Sequence, residues 1–246
     1  MDKKSKTIIG VMAFIIIALI VVIFILCTSK AEKDNVQPTW SNDYGITSSS
    51  GNGVFKKQIS TNKIDFQNVG ITKSGDFVIK VTNNNEESVC LSSIKTIFKD
   101  ANGNFALTKE ADQSFVTIPA KGVTYVYDWG FKENYAQYPT YEFSCELANI
   151  ADNFVSDGIK ITSNNTGKQV AVTLANNSGF SISNARVIVL YYQGDTIVGA
   201  ESGYADQTVT SGNNSYINVD YPEDSNYREV SFDKYEVYFT NAGKSY

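Results

Sequence analysis

The 246-residue chain contains no histidine, only three cysteines, two methionines and four prolines. Without histidine there is no Ser-His-Asp or Cys-His nucleophile pair, no His-ligated zinc and no imidazole pH switch. Basic residues are also in deficit, with 21 Lys and Arg against 26 Asp and Glu and a formal net charge of −5. A phosphate backbone needs clustered cations, so nucleic acid is not an expected partner. What the chain does have is 15 tyrosines, 14 phenylalanines and 17 glycines. Aromatic and β-branched residues favour strands, and glycine favours the turns between them.

The one long apolar run lies at the N-terminus. Thr7 to Cys27 carries no charge and meets the length of about 20 residues that a membrane-spanning helix needs. Lys3, Lys4 and Lys6 precede it, whereas Glu32 and Asp34 accompany the lysines that follow. The positive-inside rule predicts residues 1–6 in the cytoplasm, a signal-anchor over 7–27 and everything later outside. Two other fates are compatible with residue sizes there: cleavage after Ala31, and lipid attachment at Cys27, although bulky Phe24, Ile25 and Leu26 depart from a lipobox. Without Met1–Lys30 the chain keeps 17 basic and 25 acidic residues, a charge of −8 that suits a soluble ectodomain.

Residues 28–55 lack periodic apolar positions and end in a Ser/Gly tract, the composition of a flexible stalk. From Lys56 onward, short alternating stretches are broken every 8–12 residues by Asn, Gly, Asp and Ser. Phe77, Ile79 and Val81 alternate in this way, as do Val170, Val172 and Leu174. The segment Phe77–Asp100 also lies over Val170–Gln193 at a constant offset of 93, setting V-T-N-N beside L-A-N-N. Later matches pair Asp112 with Asp206, Asp128 with Asp220, and Tyr141-Glu142-Phe143 with Tyr235-Glu236-Val237. The sequence therefore predicts an all-β ectodomain of two tandem immunoglobulin-like β-sandwiches, residues 56–150 and 151–246, after a single N-terminal transmembrane helix.

Each repeat resembles an FxLYD domain, a small extracellular β-sandwich found in tandem on bacterial surface proteins. The resemblance rests on Ile188-Val189-Leu190-Tyr191-Tyr192-Gln193-Gly194-Asp195, on Ala200 to Asp206, and on Phe232-Asp233-Lys234-Tyr235-Glu236-Val237. Lys95 to Asp100 is the looser counterpart in the first repeat; Tyr192 stands where the family has Asp, and Ile188 where it has Phe. The resemblance implies a fold and a surface location, and brings no catalytic residue with it. The Asn-rich, Arg-poor composition agrees with a low-GC bacterial source.

Candidate chemistry is sparse. Asp100-Ala101-Asn102-Gly103-Asn104 begins like a calcium loop, yet Phe105 and Ala111 stand where the Gly and bidentate Glu belong. Asn102-Gly103 is better read as a hairpin turn. The paired Asp residues have no nucleophile or metal cluster beside them, so turn capping is expected rather than glycosidic catalysis. No catalytic, cofactor-binding or metal residue is assigned, and no cofactor is expected. The segment Phe131–Pro139 and Pro222–Arg228 are aromatic loops, which makes Tyr135, Tyr138, Tyr227 and Arg228 the candidate recognition residues. Cys145 alternates with Tyr141, Phe143 and Leu147, and Cys90 shares parity with Ile94 if its strand is continuous. Either a disulfide between them or packing alone fits that pattern.

These readings converge on a membrane-anchored extracellular binding or structural module, non-enzymatic, whose partner is a protein or glycan. An accessory or sensory subunit of a membrane complex is the alternative, and a hydrolase the third.

Overall fold

The computed structural model describes residues 61–245 apart from 114, 129–137, 139, 149–152 and 156. The apolar run Thr7–Cys27 and the 28–55 stalk lie outside them. Among the described residues no helix is long and apolar enough to cross a membrane. Their regular structure is β throughout, apart from a 3-10 turn at Thr61–Lys63.

Among the described residues, thirteen strands form four antiparallel sheets. In the first half, β1 (Ile64–Ile71), β2 (Phe77–Asn83) and β6 (Val123–Asp128) make one sheet in the order β1-β2-β6. Facing it, β3 (Val89–Lys99) pairs with β4 (Phe105–Glu110), β5 (Val116–Ile118) and β7 (Thr140–Leu147). The second half repeats the plan. Strands β8 (Ile159–Asn165), β9 (Gln169–Asn176) and β12 (Asn214–Asp220) form one sheet, and β10 (Ser181–Gln193), β11 (Thr196–Tyr204) and β13 (Lys234–Ser245) the other.

Each facing pair encloses its own core. Phe77, Ile79, Val81 and Val126 meet Leu91, Ile94 and Phe98 in the first, and Val170, Val172 and Leu174 meet Val187, Val189 and Tyr191 in the second. The alternation legible in β2 and β9 is the pleat itself, with every second side chain pointing inward. Tyr191 occupies the place of Phe98, and its hydroxyl donates to the Asp220 carbonyl at 2.7 Å. A buried aromatic with a polar tip thus satisfies that tip internally.

The shared Asn-Asn pair explains how the repeat closes. Asn83 and Asn176 are both fully buried. Asn83 Nδ2 donates to the carbonyls of Glu87, Ile118 and Pro119, and Asn176 Nδ2 to those of Phe180 and Val209. Their Oδ1 atoms accept from the backbone N–H of Asn85 and Ser178. One amide therefore stitches the end of an inner strand to the following turn and to the opposite sheet.

Two expectations need correction. First, β3 carries a bulge: the register with β7 shifts between Leu91 and Ser93, so two residues, not one, lie between core-facing Leu91 and core-facing Ile94. The bulge breaks the parity that put Cys90 and Cys145 on one interior. Cys145 lies opposite Ile94, four residues from Cys90, which is roughly 10–13 Å along a strand. Both are free thiols; a disulfide needs Cα atoms within about 7 Å. Strand β10 carries the matching irregularity between Ser183 and Arg186, with Asn184 at φ 51°. Second, Asp128 and Asp220 are not equivalent. Asp128 pairs with Phe77, whereas it is Val219 that pairs with Val170. A one-residue slip reverses the face, so Asp128 takes Val219's inward position while Asp220 is exposed.

Replacing Asn176 with Ala removes its amide bonds to the Phe180 and Val209 carbonyls and the Oδ1 that accepts from Ser178 N–H, and it empties a fully buried position. It should destabilise the fold by about 2–4 kcal/mol in urea denaturation, with Asn83→Ala behaving alike. In thiol labelling, Cys90 and Cys145 should stay silent in the folded chain, since burial raises their pKa values to about 11 and about 12. Both should label fully on unfolding without reductant.

Candidate recognition tip and the junction beneath it

The chain from Tyr221 to Phe232 leaves β12, turns and returns to β13. Tyr191, Tyr221 and Phe232 pack edge to face with centroids 4.8–6.2 Å apart, a rigid aromatic base. Above it, Val230 N–H donates to the Pro222 carbonyl at 2.7 Å, and Glu223 bridges Glu229. At the tip, one Asp224 oxygen accepts from the N–H groups of Asn226 (2.7 Å) and Arg228 (3.1 Å). These bonds hold the Asp224 carboxyl below the ordinary aspartate range. Tyr227 is 79% exposed with φ 59°, a left-handed conformation that tyrosine adopts at a cost and glycine adopts freely.

Tyr138 folds back onto its own core, its ring 6.0 Å from that of Phe98. Tyr135 lies outside the described residues. Of the four candidate recognition residues, Tyr227 and Arg228 share an exposed turn, while Tyr138 packs inward.

Beneath the tip the two halves dock. Val78 and Tyr127 from the outer face of β2-β6 meet Ile188, Leu190, Tyr192 and Ala200 from the outer face of β10-β11. Tyr125 packs on Tyr238 at 4.7 Å, and both the Tyr192 and Tyr238 hydroxyls donate to Glu236 Oε2. The turn Thr72–Asp76 caps this seam. Ser74 N–H donates to the Val198 carbonyl at 3.2 Å, and Ala200 N–H donates to Asp76 Oδ2 at 3.2 Å. Ser74 and Thr72 hydroxyls also donate to that carboxylate, and Lys73 reaches Gln193. Gly199 lies between: a Cβ there would overlap the Pro222 ring and sit 3.2 Å from Ser74 Oγ. Tip, edge strand and first-half turn thus meet around one glycine.

The electrostatics of this junction are one-sided. Asp76 is only 2% exposed, and burial raises its pKa against its hydrogen bonds. Burial, together with Asp76, Asp220 and Glu223, pushes Glu201 up to about 8. Burial and the neighbouring Asp112 and Asp76, opposed by Lys109, push Asp128 up to about 6. Sequence reading passed over Asp76 and Glu201, because only the docking of two halves makes them neighbours. Asp206, by contrast, is exposed. Asp100 closes the predicted hairpin: its carboxylate accepts from the N–H groups of Asn102 and Asn104 at 2.8 and 2.9 Å, and Gly103 has φ 80°. Among the described residues no group of three or more His, Cys, Asp or Glu is placed to hold a metal ion.

No protein-family model and no curated protein matches the chain. Among solved structures it is similar to red sea bream transglutaminase, at 9% identity over 72% of this chain and 28% of that one, with a TM-score of 0.23. It is also similar to a chain of a chaperone–tip adhesin complex described as vital for activation of CFA/I fimbriae biogenesis, at 10% identity over 72% of this chain and 97% of that one, with a TM-score of 0.25. The chain spans little more than a quarter of the transglutaminase's length. Likeness this slight carries neither activity nor partner.

Glu201 makes the junction sensitive to pH. A carboxyl whose folded pKa exceeds its unfolded value near 4.5 holds its proton more tightly when folded. Its contribution is full below that value, declines as pH rises and is gone above about 8. Thermal melts should therefore show Tm falling from acid toward pH 8, with Asp128 adding to the fall up to about pH 6. Glu201→Gln should flatten the decline and raise Tm above pH 8.

Proposed function

We propose that the chain is a non-enzymatic extracellular module, anchored through the Thr7–Cys27 helix, that presents a preorganised Tyr227–Arg228 tip to a protein partner. Its two halves are tandem immunoglobulin-like sandwiches of the FxLYD type, carried away from the membrane on the 28–55 stalk. The apolar N-terminal run with its flanking lysines supports the anchor, and the acidic remainder supports a solvated ectodomain. One observation carries the recognition reading: an exposed tyrosine held in a left-handed turn where glycine would be cheaper. Strain at an exposed position, braced by Asp224 below and by an aromatic base beneath that, points to selection for display rather than for stability. Tyr and Arg bury much area at low entropic cost, which suits them to the centre of an interface.

The test is site-specific photo-crosslinking on intact cells. A benzophenone amino acid at Tyr227 should capture a discrete partner, whereas the same probe at exposed Phe105 on β4 should not. Equal capture at both positions, or none at Tyr227, would refute the reading. With the probe moved to exposed Ser225, Tyr227→Gly should abolish capture without lowering Tm, because glycine relieves the strain of about 1 kcal/mol while removing the ring.

A further inference from the structure

The two halves expose corresponding faces to different surroundings, and the comparison singles out a second surface. In the first half the outer face of β2-β6 is buried in the seam through Val78, Tyr125 and Tyr127. Ladder pairing places Tyr125 beside Lys80 and Tyr127 beside Val78; in the second half it places Tyr216 beside Thr173 and Asn218 beside Ala171. Ala171 and Thr173 follow Val78 and Lys80 at the repeat offset of 93. Tyr216 is therefore the counterpart of Tyr125. The ring is kept, but it is 76% exposed, and its apolar neighbours have become Ala171 and Asn218.

The surrounding face is polar and carries little charge. Cross-strand rows run Asn164–Ala171–Asn218, Thr162–Thr173–Tyr216 and Lys160–Ala175–Asn214, so Lys160 is the single charge among these nine positions, with exposed Asp220 beside Gln169 in the adjoining row. Strands lie about 4.8 Å apart and alternate residues nearly 7 Å apart along each, giving a platform on the order of 10 by 14 Å. Small side chains down the centre keep it open, and amides and hydroxyls line both sides.

We propose that the outer face of β8-β9-β12 binds a neutral oligosaccharide, one pyranose ring stacking on Tyr216 and its hydroxyls bonding to Asn164, Asn214 and Asn218. The C–H hydrogens of a sugar ring carry slight positive charge and meet the negative face of the tyrosine π system. Asparagine amides offer paired donors and acceptors, which match vicinal hydroxyls without demanding a charge. A polyanionic glycan finds only Lys160 to attract it here, and Asp220 in the adjoining row repels it. A second copy of the chain is a poor occupant, because the face that would receive it is charged. Lys95 and Lys99 stand in the first half where the seam uses Ile188 and Tyr192, and they pair with Glu146 and Glu142.

The full chain in detergent is titrated with millimolar maltohexaose, cellohexaose, xylohexaose and chitohexaose, and with polygalacturonate, following asparagine side-chain amide resonances. At least one neutral hexasaccharide should shift Asn164, Asn214 and Asn218. Tyr216→Ala should weaken its binding roughly tenfold at unchanged Tm, and Tyr216→Phe should retain it. Tyr204→Ala, at another exposed ring, should have no effect. Silence with all four neutral sugars, preference for polygalacturonate, or binding indifferent to Tyr216→Ala would each overturn the proposal. So would shifts that depend on chain concentration rather than on sugar, since that would mark self-association. A failure of the Tyr227 tip leaves this outcome unaffected, because the two variants change different faces.

Discussion

An apolar seam flanked by directional hydrogen bonds cannot slide, and the docking of Val78 and Tyr127 against Ile188, Leu190 and Tyr192 is a seam of that kind. Hydrophobic burial alone is indifferent to small shifts in register. Here Ala200 N–H must find Asp76, Ser74 N–H must find the Val198 carbonyl, and Gly199 must pass beneath Pro222. Any displacement leaves buried polar groups unpaired, which costs more than the bonds contribute when made. The two halves are thereby fixed to each other, and the tip resting on Pro222 is fixed with them. The same arrangement adds Asp76 to the acids of Glu201's own half, Asp220 and Glu223, that surround it.

How far the sequence reveals this depends on whether a feature is local. The alternation in β2 and β9 is local, and it marks their inward faces correctly. So is the Asn102-Gly103 turn. The offset of 93 places β2 on β9 and β3 on β10 because insertions fall in turns. Strand β10 conceals its pleat, since Ile188 and Leu190 are buried in the seam while Val187, Val189 and Tyr191 are buried in the core. A strand covered on both faces reads as a continuous apolar run and tells nothing about which side is which. The bulge at Ser92 is invisible for another reason: serine fits a strand as well as a bulge, so nothing signals the parity change that separates Cys90 from Cys145. The Asp128–Asp220 match failed by one residue, which is enough to turn an exposed side chain into a buried one.

The acids divide by position into two kinds. Asp100 and Asp224 sit on exposed turns, accept backbone N–H bonds and are held in the charged form. Asp76, Asp128 and Glu201 lie near the junction, where lost solvation and mutual repulsion favour the proton. One carboxyl chemistry therefore yields opposite pH responses according to whether the backbone or another carboxyl faces it. An acidic chain cannot avoid such crowding wherever two of its surfaces meet. Asp76 shows the local remedy, since hydroxyls from Thr72 and Ser74 and the Ala200 N–H share its charge.

Repetition poses a problem that the two halves solve between them. A fold whose front docks onto its own back will continue to add copies unless the terminal faces are altered. In the first half, Lys95 and Lys99 with Glu142 and Glu146 replace the apolar back that Ile188 and Tyr192 provide in the second. In the second half, Ala171 and Asn218 replace the apolar front that Val78 and Tyr127 provide in the first. Each of these two faces thus lacks the apolar residues through which the halves meet. Preventing a second such docking requires only that the second front be polar. Retaining Tyr216 at its centre was unnecessary, because an exposed ring adds nothing to solubility and forgoes the packing that Tyr125 gains on Tyr238.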